Sequence, residues 1–228
     1  MSNSSFHNKR RDFVKQSSML AGAIAAAPII SRANFFSGSD DVIKVAVIGC
    51  GGRGTGAAVQ ALSSKQNVKI VAMADAFRDR LDDCYKNVSA ELANLGAGAK
   101  GTLDVPEERK FVGFDAYLKA IPLADVVILA TPPGFRPIHF EEAVKQSKHI
   151  FMEKPVATDP AGVQKVLAAA KIAKQKKLNV VVGLQRHYQD SYRALFAKKD
   201  IIGDITSMQA WWNNDGVWVR PRKAGQTE

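Results

Sequence analysis

Val42-Ile43-Lys44-Val45-Ala46-Val47-Ile48-Gly49-Cys50-Gly51-Gly52-Arg53-Gly54 is the stretch that decides the fold. Every residue from Val42 to Ile48 except Lys44 is apolar, the pattern of a strand buried on both faces of a parallel sheet. The glycines follow without a spacer, and Thr55 to Leu62 reads as a helix, so G-x-G-x-x-G stands in its required context of strand, turn and helix. Gly49 permits the tight turn, Gly51 lets the backbone approach a pyrophosphate, and Gly54 lets the helix pack against the strand. Gly52 and Arg53 complete the loop, where free N–H groups at a helix start attract phosphate charge. These residues are the candidate phosphate contacts of a dinucleotide site.

A glycine turn alone is weak evidence, because such turns end many strands. Here a second apolar run, Val68 to Ala74, follows the helix and ends at Asp75, 21 residues after Gly54. An acid at that point accepts hydrogen bonds from the adenosine ribose hydroxyls and repels a 2′-phosphate, which favours NAD. Arg78 and Arg80 lie close behind and could pair with such a phosphate, which keeps NADP as the alternative. The plainer role for Asp75 is a helix N-cap.

Further strands are expected at 124–130 and 149–152, with helices near 116–120 and 137–146. The first of these strands runs into Thr131-Pro132-Pro133, the second into Glu153-Lys154-Pro155. Asp159 with Pro160 marks the start of another helix, with Val163, Val166, Leu167 and Ala170 as its inner stripe. A last strand of the sheet is expected at 178–183. Ligands in such a sheet lie beyond the carboxyl ends of the strands, so these turns should face the cofactor.

Ahead of the sheet, Lys9-Arg10-Arg11-Asp12-Phe13-Val14-Lys15 is a charged segment with paired arginines, followed by an apolar stretch of 12 residues, Met19 to Ile30. That stretch is too short for a hydrocarbon core of ~30 Å and has no polar face, so neither a membrane span nor an amphipathic helix suits it. Ser31-Arg32-Ala33 offers the small residues a signal peptidase requires. The segment resembles a bacterial twin-arginine (Tat) signal, departing from it at Lys9, where Ser or Thr is usual, and at Val14, where Leu is usual. The resemblance implies export through the Tat translocase to the periplasm, with no stable membrane anchor.

The formal charge of +10 over 228 residues does not indicate nucleic acid. Lys9, Arg10, Arg11, Lys15 and Arg32 against Asp12 account for four of those charges, and the rest are spread without a basic run beyond 174–177. Cys50 and Cys84 allow at most one disulfide, and a bridge at Cys50 would obstruct the glycine loop, so packed free thiols are expected. No spacing among the four histidines resembles a metal site.

Taken together, the glycine loop, Asp75, Thr131-Pro132, Glu153-Lys154-Pro155 and Gly183-Leu184-Gln185-Arg186-His187-Tyr188 resemble the glucose–fructose oxidoreductase and inositol dehydrogenase (Gfo/Idh/MocA) family over about Val42 to Trp212. The resemblance implies an NAD(P)-dependent oxidoreductase passing a hydride between nicotinamide and a sugar or polyol. It implies that Lys154 reaches the substrate hydroxyl as the catalytic cation, that Glu153 and Thr131 contact the nicotinamide half of the cofactor, and that Arg186 lies near the same pocket. His139 matches a family histidine near the cofactor, although it stands about three residues later after Thr131-Pro132 than is usual. A plain Lys154–Glu153 salt bridge is the competing reading of that pair, and it is disfavoured because adjacent strand residues point to opposite faces.

The expected architecture is α/β: a signal peptide at 1–33, a linker at 34–41, a Rossmann-type doubly wound parallel sheet at 42–185, and at 186–228 the beginning of a truncated α+β substrate domain. In that last part a helix is expected near 191–198 and a strand over Ile205 to Trp212. The family's acid/base histidine and aspartate belong to the remainder of the substrate domain. These residues are therefore expected to be a fragment of a longer, homo-oligomeric enzyme, and on their own to bind nucleotide without turning over sugar. The competing functions are an NAD-retaining glycosidase of related fold and a non-catalytic nucleotide- or sugar-binding module.

Overall fold

The computed structural model describes residues 41–64, 66–96, 100–213 and 225. The expected signal peptide and linker residues 34–40 lie outside them. The described residues fall into two compact units, Met1–Gly183 and Leu184–Glu228.

In the first unit the apolar run forms β1 (Ile43–Ile48), and the glycine loop leads into α1 (Gly52–Leu62), which starts three residues ahead of its expected position. There follow β2 (Val68–Asp75), α2 (Arg78–Leu95), β3 (Thr102–Leu103), β4 (Lys110–Val112), α3 (Ala116–Ala120), β5 (Val126–Leu129), α4 (Arg136–Lys145), β6 (His149–Met152), α5 (Pro160–Gln175) and β7 (Val180–Val182). All pair in parallel, in the order β3-β2-β1-β5-β6-β7, with β4 taking over from β3 along the same side of β2.

Both faces of the sheet are covered, which is why β1 needs apolar residues at consecutive positions. Val45 and Val47 join Ala57, Ala58, Leu62, Leu81 and Val88 of α1 and α2 on one face. Ala46 and Ile48 join Ala116, Ala120, Phe140, Ala143, Val144 and Val166 of α3, α4 and α5 on the other. A register shift between Val45 and Ala46 skips Val71 in the ladder with β2.

The inner stripe of α5 differs from expectation. Val166, Ala169 and Ala173 are buried, whereas Val163 and Leu167 are exposed. Ala170 is exposed as well. Apolar residues occupy both faces of this helix, so period alone does not choose between them. The expected cap is present, with Asp159 Oδ1 accepting from the Gly162 N–H at 2.8 Å.

The second unit holds α6 (Gln185–Tyr188) and α7 (Asp190–Phe196), a 3-10 turn at Lys199–Ile202, and then irregular chain. The strand expected over Ile205 to Trp212 does not form. A strand needs a neighbour for its N–H and C=O groups, and among the described residues none pairs with this segment. Trp211 and Trp212 stay exposed.

Candidate functional site

The strand order reverses direction between β1 and β5, and the loops leaving these two strands meet there. Gly49 has φ +94°, a conformation that favours glycine, and a Cβ on it would lie 2.5 Å from the Thr131 nitrogen. A Cβ on Gly54 would overlap the Gly49 carbonyl oxygen, so helix and loop touch backbone to backbone. At Gly51 and Gly52 a Cβ would meet nothing. Those two glycines thus leave open space beside the start of α1, where no side chain caps the helix and no acid occupies the first turn. A helix start with these properties accommodates an anion.

Asp75 closes β2 and is not the cap of α2, which begins after Phe77. Its Oδ2 accepts from the Cys50 N–H at 2.6 Å and its Oδ1 from the Phe77 N–H at 3.0 Å, which ties the carboxylate to the glycine loop. A carboxylate has about four acceptor positions, so hydroxyl donors can still be received. Arg78, the candidate partner for a 2′-phosphate, is taken up by Asp82 and Glu107. Cys50 and Cys84 are buried free thiols, as expected. Their mutual hydrogen bond, followed by burial, raises the Cys50 thiol, and the same bond lowers Cys84.

At the far side of the cleft, the first residue beyond the β5–β6 ladder is Glu153, whose N–H still bonds the Leu129 carbonyl at 3.0 Å. Its carboxylate is buried and takes the Arg53 Nε at 2.6 Å, so the glycine loop is strapped to the end of β6 by an ion pair across 100 positions of sequence. The competing Lys154–Glu153 pair does not form. Lys154 is exposed in the turn after β6, and among the described residues no carboxylate pairs with it.

His139 is buried rather than open to the cleft. Its Nδ1 lies 3.1 Å from Thr131 Oγ1, its ring packs 4.3 Å from Tyr117, and it stacks on Phe135. Burial, with the Arg136 guanidinium adding to it, lowers this imidazole to about 4. His139 therefore holds Thr131 as a neutral group. Pro132 forms the turn itself, its carbonyl accepting from the Phe135 N–H at 3.1 Å. Arg186 belongs to the second unit, where it bonds Gln189 at 2.9 Å and lies over the rings of Tyr192 and Trp212.

Two residues have roles at this site that sequence reading did not assign. Gly183 follows β7, and a Cβ there would lie 2.8 Å from Glu153 Oε1, so any other residue would press on the buried carboxylate and displace it. Arg136 is buried and donates to the carbonyls of Thr131 and Pro155. A signal for it exists, since Arg136, His139, Phe140, Ala143 and Val144 fall at helical spacing on one buried face.

Residues 43–184 match the family model described as the oxidoreductase family (GFO_IDH_MocA), NAD-binding Rossmann fold. The chain belongs to this family. Among solved structures, scyllo-inositol dehydrogenase of Lactobacillus casei, with bound NAD(H) and scyllo-inositol, is similar at 25% identity and a TM-score of 0.53, over 73% of this chain and 44% of that one. Myo-inositol 2-dehydrogenase of Lactobacillus plantarum shares the fold at 24% identity and a TM-score of 0.52, over 72% and 43%. A 3-ketoreductase of Actinomadura kijaniata, in complex with NADP, shares it at 19% and 0.51, over 71% and 43%. The chain thus spans less than half the length of these Gfo/Idh/MocA structures. Among its described residues no helix is long and apolar enough to cross a membrane.

Proposed function

We propose that this chain is the nucleotide-binding part of an NAD-dependent oxidoreductase acting on a sugar or polyol, exported by the Tat route to the periplasm. The observation that carries the reading is that an uncapped glycine-loop helix start, Asp75 and an exposed Lys154, which has no carboxylate partner among the described residues, all lie at the carboxyl ends of neighbouring strands of one parallel sheet around its reversal point. The fit to a dinucleotide is specific: Gly51 and Gly52 leave room where a pyrophosphate would lie, and Asp75 stands at the ribose position with acceptor capacity to spare. NAD is favoured over NADP because Asp75 would repel a 2′-phosphate while Arg78 is already paired. Lactobacillus scyllo-inositol dehydrogenase, with its bound NAD(H) and polyol, supports the substrate class.

When bound, NAD supplies the hydride acceptor, and the protein supplies orientation and electrostatics. The helix start and glycine loop would hold the phosphates, and Thr131, oriented by His139, would be available to the nicotinamide half. The Lys154 ammonium lowers the cost of alkoxide character on a substrate hydroxyl as hydride leaves the same carbon. Glu153 is occupied with Arg53, so its part is to fix the glycine loop against β6.

Arg10-Arg11 and the apolar stretch of 12 residues behind them support export, and a route that carries folded proteins suits one that acquires its nucleotide in the cytoplasm. The deciding experiment measures NAD affinity, and polyol-dependent NADH formation over a panel of sugars and inositols, in this chain and in its full gene product. The full product should oxidise at least one polyol, and Lys154→Met should abolish that activity while leaving NAD affinity within about threefold. NAD binding without turnover of any polyol or sugar would replace this reading with a binding module.

A further inference from the structure

We infer that Arg136 is a positioning residue that fixes the Lys154 turn against the Thr131 turn. Its relevance to hydride transfer rests on the oxidoreductase reading above. The two turns leave neighbouring strands, and the β5–β6 ladder ends at Leu129 and Met152, with one further bond from Glu153 N–H. Past that bond the sheet no longer sets their separation. Arg136 takes over at this point, donating through one terminal nitrogen to the Thr131 carbonyl and through the other to the carbonyl of Pro155, the residue next to Lys154.

Three features separate this role from that of an ordinary core residue. A planar guanidinium presents its donors at a fixed spacing, so two carbonyls held by one fork are held at a set distance from each other; a lysine, with a single nitrogen, does not do this. Arg136 is only 2% exposed, and its buried Nε has no hydrogen-bond partner among the described residues. A methionine would fill the same volume without that cost, so packing alone does not account for an arginine here. Finally, both acceptors are main-chain groups of turns that border the cleft, whereas the Phe140, Ala143 and Val144 side chains on the same helical face serve the core.

The test uses Arg136→Lys and Arg136→Met in this chain, with amide hydrogen exchange read by peptide for residues 131–136, 153–158 and, as a reference, 70–74. NAD affinity is measured alongside. Exchange at 153–158 should rise by about tenfold in both variants with the reference unchanged. In the full gene product, kcat for polyol oxidation should fall by about 100-fold while the NAD KM stays within about threefold. Unchanged exchange at 153–158, a rise shared with 70–74, or full activity in Arg136→Lys would each overturn the proposal. If Arg136→Met does not fold, Arg136→Lys decides by the same readouts. If the unmodified chain fails to bind NAD, the oxidoreductase reading falls, while exchange at 153–158 still reports on Arg136.

Discussion

Lowering the pH should destabilise this domain through one side chain. His139 is buried beside the rings of Tyr117 and Phe135, and its imidazole is lowered from 6.5 to about 4, first by burial and second by Arg136. Between those two values the unfolded chain binds a proton that the folded chain refuses, so stability rises with pH across this window and is lost as pH falls through it. Above pH 6.5 the contribution is complete. At about 1.4 kcal/mol per pH unit, the gap is worth about 3 kcal/mol by pH 4, a sizeable share of a typical domain's stability. Urea unfolding of the parent and of His139→Gln at half-unit steps from pH 7.5 to pH 4.5 isolates the effect. Glutamine can still bond Thr131 Oγ1 but does not titrate, so the two curves should differ by a constant above pH 6.5 and converge below it, with the parent losing stability faster. Parallel curves over the whole range, or a His139 proton resonance titrating above pH 6, would refute the reasoning.

Gly54→Ala places a methyl group against the Gly49 carbonyl and should cost about 1–3 kcal/mol in thermal or urea unfolding together with the loss of NAD binding. Gly51→Ala should leave stability within about 0.5 kcal/mol while weakening NAD, because open space surrounds that position; equal stability losses in both variants would contradict the division of roles. Asp75→Ala should narrow the preference for NAD over NADP by about 1.5–3 kcal/mol in parallel titrations, and a parent that binds NADP more tightly would return the choice to Arg80. Arg10→Lys with Arg11→Lys should retain the protein in the cytoplasm on cell fractionation, and equal periplasmic amounts of variant and parent would remove the export assignment.

What could be read in advance follows from how local each signal is. β1 and its glycine loop carry a nearly continuous apolar run and glycines within 13 residues, and the roles of Gly49 and Gly54 then appear in backbone contacts made nearby. β3 and β4 went unread because two or three residues carry no period, and they form only because β2 offers them a partner. The run at 205–212 shows the converse, since strand-like residues remain irregular where none of the described residues pairs with them. For the site, the positions of Asp75, Thr131 and Lys154 were legible, but their partners were not. The Arg53–Glu153 pair spans 100 residues, and Arg136 has the composition of a surface residue until the helix face it occupies is known.

The short outer strands of the sheet have a consequence for the molecule at high concentration. On one side β2 is flanked by two fragments, β3 and β4, of two and three residues; on the other the sheet stops at β7, three residues long. Among the described residues, an approaching chain therefore finds no long row of unsatisfied main-chain groups along the edges of this sheet. The edges of this sheet thus give only two- and three-residue templates among the described residues, which disfavours ladder growth between folded molecules.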